Sequence, residues 1–131
     1  MNDLISDFII RIKNASLSNN GEVTCPHSKL QENLAKLMVD QGILSSYAVN
    51  TDSVHKELTV KLKQDGIRTV RLDAARISKP GRRLYVRTTQ MAKYILGQGV
   101  VIVSTPLGLM TAKQAIKAKQ GGELICKITI K

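Results

Sequence analysis

Four apolar residues in a row, Val100-Val101-Ile102-Val103, run straight into Ser104-Thr105-Pro106-Leu107-Gly108. An uninterrupted run of branched aliphatic residues, bounded by turn-forming ones, marks a strand buried on both faces. The fold must therefore cover this segment on each side. It is the longest strongly apolar stretch in the chain and far too short to cross a bilayer, which takes about 20 residues. A second segment, Glu123 to Ile130, places Leu124, Cys126, Ile128 and Ile130 in alternation and reads as a closing strand.

The rest of the chain mixes helical and strand periods. Leu4, Ile5, Phe8, Ile9 and Ile12 follow helical spacing, with Asn2 or Asp3 as cap and Arg11, Lys13 and Asn14 at the polar end. Asn19-Asn20-Gly21 is a turn, and Glu22 to Cys25 is extended until Pro26 ends it. Ser28-x-x-Gln31 has the spacing of a capping box and opens a helix with Leu30, Leu34, Leu37 and Met38 on one face, stopped at Gly42. Ile43–Val49 and Glu57–Lys63 read as strands joined by the polar loop Asn50-Thr51-Asp52-Ser53. In the second strand Leu58, Val60 and Leu62 alternate with polar residues.

Gln64-Asp65-Gly66 is the expected boundary, giving an N-terminal lobe over 1–65 and a C-terminal lobe over 66–131. Past it, Val70 and Leu72 mark a strand and Ser78-Lys79-Pro80-Gly81 a type II turn. Arg83 to Val86 forms the returning strand, so that Arg83, Tyr85 and Arg87 share a face. Thr89 caps a short helix carrying Met91 and Ile95, which Gly97 ends. Ser104–Gly108 is read as a strand-to-helix loop, and Thr111-x-x-Gln114 is a second capping box. Gly121-Gly122 stops the helix it opens. The class is α+β in two small lobes: helix-strand-helix-strand-strand first, then a mostly antiparallel sheet with short helices.

Charge separates the two parts. The chain carries a net +10, and residues 1–50 hold four Lys/Arg against five Asp/Glu while residues 51–131 hold sixteen against five. A strongly basic end that is not otherwise neutralised meets a polyanion. From Arg68 to Lys93 there are eight cations, Arg68, Arg71, Arg76, Lys79, Arg82, Arg83, Arg87 and Lys93, against Asp73 alone. Such residues bind phosphate oxygens and release counterions. Tyr85 between Arg83 and Arg87 offers a stacking surface for a base. Aromatic residues total only 3% of the chain, which disfavours a multi-base stacking sheet and favours readout of folded RNA through shape and backbone. Hydroxyls of the Ser104 loop, the close approach that Gly108 permits and the helix start at Thr111 would add specificity to that surface.

No nucleophile, general base or phosphate-loop signature is present. Gly97-Gln98-Gly99 precedes a strand where a dinucleotide motif needs a helix. Cys25, His27, His55 and Cys126 lack the paired spacing of a zinc site, and the two cysteines read as small buried thiols. The expectation is a protein without catalytic residues, metal or cofactor. It carries neither a signal-like N-terminus nor an amphipathic basic helix for a membrane surface.

Several segments taken together resemble the family of bacterial small-subunit ribosomal protein eight, over nearly the whole chain. They are Arg11-Ile12-Lys13-Asn14-Ala15, Ser28-Lys29-Leu30, Ile77 through Val86, Val101 through Thr105 with Gly108 through Thr111, and Gly121 through Cys126. The resemblance implies a structural constituent of the small subunit that binds the central domain of its ribosomal RNA early in assembly. Neighbouring ribosomal proteins are implied partners, and so, in some members, is the protein's own messenger RNA. The implied location is a ribosome, in the cytoplasm or an organelle. The implied RNA contacts are Arg11, Lys13, Asn14, Lys29, Lys79, Arg82, Arg83, Tyr85 and the segment Ser104, Thr105, Pro106, Leu107, Gly108, with Thr111 and Glu123. In the family the positions matching Ser104, Thr105, Gly108 and Glu123 contact a bent, irregular RNA helix. Two positions depart from the family pattern. Pro106 replaces a third hydroxyl and removes a backbone N–H, and Leu107 replaces a polar or basic residue. A different class of reading, a protein-binding module of a ribonucleoprotein with only secondary RNA contact, sits poorly with the charge imbalance.

Overall fold

Helix α1 (Leu4–Leu17) forms because Ile5, Phe8, Ile9 and Ile12 recur on one face and are buried there. The computed structural model describes residues 4–51, 54–95 and 97–130. The expected caps Asn2 and Asp3 lie outside that set, as do Asp52 and Ser53 of the expected polar loop. The helix does not end at Lys13-Asn14. It runs one turn further because Ala15 and Ser16 are also buried, and the Ser16 hydroxyl donates to Lys13 O at 2.7 Å while accepting from the Leu72 N–H at 3.1 Å. Helix α2 (Lys29–Asp40) starts at Ser28, whose Oγ accepts from the Gln31 N–H at 3.1 Å. The capping box is only half formed: buried Gln31 turns its amide to Leu4 O at 3.0 Å. Leu30 is exposed, and the buried face is Leu34, Ala35, Leu37 and Met38. Gly42, at φ 76, provides the left-handed stop.

Strands β1 (Glu22–Pro26), β2 (Leu44–Asn50) and β3 (Glu57–Leu62) pair antiparallel in the order β1-β3-β2. Leu58, Val60 and Leu62 point inward from the central strand, as their alternation predicts. A two-residue-strand hairpin follows, β4 (Gln64–Asp65) with β5 (Arg68–Thr69), turning through Gly66 at φ 66. The Gln64–Gly66 turn therefore lies inside the first unit, which extends through Leu72 and takes in Ile130; the second unit is Asp73–Thr129. Side-chain bonds from α1 carry the first unit past the expected break at Asp65. Asn19 Oδ1 accepts from the Thr69 N–H at 2.5 Å, and Ser16 holds Leu72.

In the second unit, β8 (Val100–Thr105) lies between β10 (Gly122–Ile130) and β9 (Gly108–Thr111), with β6 (Leu72–Arg76) on the far side of β10. Val101, Ile102 and Val103 are buried, so the apolar run is covered on both faces. One face packs Val101, Val103 and Leu124 against Val86, Met91, Ala112 and Ala115. These come from β7 (Tyr85–Val86), α3 (Thr88–Met91, continued by a 3-10 turn over Ala92–Tyr94) and α4 (Ala112–Lys117).

Several local expectations change here. The strand expected around Val70 begins at Leu72. The strand expected to return on it, β7, is only two residues long and pairs with β10, because the sheet edge it meets is Gly122–Glu123. Gly81 is not left-handed, so the Pro80-Gly81 turn is not type II. It closes by reciprocal bonds between Lys79 and Arg82 at 3.0 and 2.9 Å. Arg87, not Thr89, precedes α3, and both Arg83 and Arg87 lie outside β7, so the strand face expected for Arg83, Tyr85 and Arg87 does not form. Lys119, at φ 55, ends α4, and Gly122 already belongs to β10. Strict alternation in β10 fails at a bulge between Leu124 and Cys126, which buries Leu124, Ile125 and Cys126 together.

Candidate nucleic-acid interface

The segment expected to be a strand-to-helix loop is a tight β-hairpin. Thr105 pairs with Gly108 and Ser104 with Leu109, leaving Pro106 and Leu107 as its two-residue tip. Four residues of extended backbone precede α4 because the Thr111 capping box is complete. Its Oγ1 accepts from the Gln114 N–H at 3.1 Å, and Gln114 Oε1 accepts from the Thr111 N–H at 3.0 Å. Thr111 is buried and its hydroxyl is committed to this cap. Thr105 is likewise committed. Its Oγ1 donates to Gly108 O at 2.9 Å and accepts from the Leu107 N–H at 3.1 Å. Pro106 has no N–H to offer. The tip is thus held rigid and poor in donors, with Leu107 67% exposed at its apex.

Ser104 differs from Thr105. Its hydroxyl has no hydrogen-bond partner among the described residues, and its backbone is fixed between two neighbours. Register sets Tyr85, Glu123, Ser104 and Leu109 directly opposite one another across β7, β10, β8 and β9. Residues in direct register project from the same face, so these four form a row on the face opposite the Val103–Leu124 core. Gly122 is needed beside it, since a Cβ there would collide with the Ser104 carbonyl. Tyr85 is 66% exposed, while Glu123 is only 9% exposed. Glu123 Oε1 accepts from Arg83 Nη1 at 3.4 Å. It thereby ties the basic turn to the Ser104 row.

The basic turn itself has an anchor that sequence reasoning missed. Ser78 is fully buried, its Oγ accepting from the Leu84 N–H at 2.8 Å and donating to Leu84 O at 3.4 Å. This clamp leaves Lys79, Arg82 and Arg83 on the exposed arc between. A serine just before a Pro-Gly turn was the available signal. The eight cations do not act alike. Arg76 donates to Ile125 O at 2.6 Å, and Lys93 sits over the Tyr94 ring at 5.3 Å. Lys79 and Arg82 have no side-chain partner among the described residues. In the first unit Arg11 pairs with Asp7 at 3.1 Å, Lys13 is half-buried, and Asn14 and Lys29 are exposed.

Both thiols are buried and free, and burial pushes Cys126 up to about 12 and Cys25 above its usual value. His27 Nε2 lies 2.6 Å from Glu32 Oε1, and this bond lowers the Glu32 carboxyl. Among the described residues no three His, Cys, Asp or Glu side chains gather as metal ligands, and no helix is long and apolar enough to cross a membrane.

The class these features define is a small, basic, two-unit α+β protein that carries its polar groups on exposed turns and a sheet face rather than in a catalytic pocket. Residues 3–129 match the family described as Ribosomal protein S8. The chain is 43% identical over 129 residues to the small ribosomal subunit protein uS8 of Mycoplasmopsis synoviae, covering 98% of each. It is 41% identical over 129 residues to that of Opitutus terrae, covering 98% of this chain and 99% of the relative. It is 39% identical over 126 residues to that of Dictyoglomus thermophilum, covering 96% of each. The chain belongs to the ribosomal protein S8 family, a family of structural, non-enzymatic components of the small ribosomal subunit.

Proposed function

We propose that this protein binds the central domain of small-subunit ribosomal RNA and helps that domain fold during assembly in the cytoplasm. The observation that carries the reading is the pairing, on one sheet of the second unit, of two kinds of contact. Lys79, Arg82 and Arg83 form an exposed cationic arc suited to phosphates. Beside it, the Ser104 hydroxyl stands unbonded in register with Glu123 and exposed Tyr85. Phosphate contacts position an RNA, whereas a fixed hydroxyl and a flat ring read its bases and riboses.

The division of labour assigns roles. Ser104 and Tyr85 touch base or ribose. Pro106, Leu107 and Gly108 pack an apolar tip against the RNA, which substitutes shape for the hydrogen bonds that Pro106 forgoes. Thr105 and Thr111 act from behind by fixing the hairpin and the start of α4. Glu123 sets the Arg83 guanidinium. Arg11, Lys13, Asn14 and Lys29 of the first unit add further contacts, with neighbouring ribosomal proteins beyond them. A messenger RNA that copies the same bent helix would bind the same surface. Footprinting of the protein on total small-subunit RNA tests the proposal: protection confined to one irregular helix of the central domain is expected. Protection elsewhere, or none, contradicts it.

A further inference from the structure

The first unit carries a pair of exposed arginines at a cleft that the Ser104 surface does not include. Arg68 and Arg71 flank a cleft of about 290 Å³ lined also by Ser16, Leu17, Asn19 and Thr69. Both arginines are exposed, and among the described residues neither has an ion-pair or hydrogen-bond partner. Asp65 stands opposite Arg68 in the β4–β5 register without forming an ion pair among those residues.

The acceptors at the floor of the cleft are already engaged. Ser16 Oγ is used by Lys13 O and the Leu72 N–H, and Thr69 Oγ1 accepts from Gln64 Nε2 at 3.3 Å. Asn19 spends its side-chain oxygen on the Thr69 N–H, which leaves its NH₂ group as a donor at the cleft. The site therefore offers two guanidinium forks and an amide donor on a neutral, fixed base. That set fits a tetrahedral oxyanion, since guanidinium groups meet phosphate oxygens two at a time.

We infer that this cleft holds a backbone phosphate of the ribosomal RNA, a second and separate contact made by the first unit. The inference rests on the reading of the chain as an RNA-binding ribosomal protein. The ligand is a phosphodiester, because the groups left open at the cleft, two guanidinium forks, the Asn19 NH₂ and the Thr69 hydroxyl hydrogen, are all donors and suit a group that only accepts. It is RNA and not an acidic peptide, because the same chain already presents Lys79 and Arg82, which have no side-chain partner among the described residues, to a polyanion.

The test measures binding of the full chain to a small-subunit ribosomal RNA transcript across a range of salt, with backbone footprinting. Arg68→Ala with Arg71→Ala should weaken binding about tenfold to fiftyfold near 0.1 M salt and flatten the log–log salt slope by roughly 1.5 to 2. It should also erase one block of backbone protection while the rest persists. Arg68→Lys with Arg71→Lys should retain most of the slope, and both pairs should keep the wild-type melting temperature. Unchanged affinity and slope in the alanine pair, with wild-type binding intact, overturns the cleft and leaves the ribosomal RNA reading standing. Loss of affinity with no change of slope also overturns it, as does capture of an acidic peptide in place of RNA. Failure of the wild-type chain to bind the transcript overturns the underlying reading itself.

Discussion

Lys79-Pro80-Gly81-Arg82 and Thr105-Pro106-Leu107-Gly108 are both two-residue turns led by proline, both in the second unit, and both clamped by a hydroxyl. Buried Ser78 clamps the first through Leu84, and Thr105 clamps the second through Leu107 and Gly108. What they present is opposite. The first is flanked by cations and the second has none, its apex being Leu107. The contrast extends to the units. Residues 1–72 hold nine Lys/Arg against eight Asp/Glu, whereas residues 73–129 hold ten against two. Similar backbone devices are thus used once to display charge and once to display shape. On the proposed reading, general affinity and specificity reside at separable places, linked by the Glu123–Arg83 contact and by backbone bonds of Ser78 and Leu84 to Leu124.

The largest effect should come from breaking the shape-bearing side. Gly122→Ala drives a methyl group into the Ser104 carbonyl and should cost about 3 kcal/mol of stability, measured by denaturant unfolding. A midpoint equal to wild type would show that the strands around Ser104 shift freely. Thr105→Val should come next. It removes a buried hydroxyl with two partners and should cost about 1–2 kcal/mol of stability. It should also weaken cognate RNA more than unrelated RNA as the Leu107 tip loosens. Equal weakening on both RNAs would mean that the hairpin only supports the fold.

Glu123→Gln should have the smallest effect and the most informative sign. Removing the carboxylate frees Arg83, so unrelated RNA should bind severalfold more tightly while cognate binding stays level or falls. A uniform gain on both RNAs would reduce Glu123 to a repelling charge with no part in positioning.

Where the sequence was legible, one segment carried its own signal. The apolar run at Val100–Val103, the alternation at Leu58–Leu62 and the capping box at Thr111 each specify a local structure that packing only confirms. Features that depend on distant partners were not legible. Of the strand expected over Arg83–Val86 only Tyr85–Val86 forms, and it pairs with β10 rather than β6, because which edge a two-residue strand meets is decided by tertiary contact. The bulge at Leu124–Cys126 is invisible in an alternating pattern. The Ser104 segment read as a loop because β9 is four residues long and abuts the cap of α4. The candidate site suffered most. Ser104 and Thr105 are adjacent hydroxyls with equal standing in the sequence, yet register leaves one unbonded and turns the other inward. Only the fold distinguishes a contact from its support.

The separation of affinity from specificity is tested most directly by competition binding of Ser104→Ala and Arg82→Ala, in parallel, on cognate and unrelated RNA at several salt concentrations. Ser104→Ala should lose about 1–3 kcal/mol on cognate RNA alone and keep the wild-type salt slope. Arg82→Ala should weaken both RNAs alike and flatten the slope by about one. Equal losses on the two RNAs for Ser104→Ala, or a change of slope with it, would contradict the account.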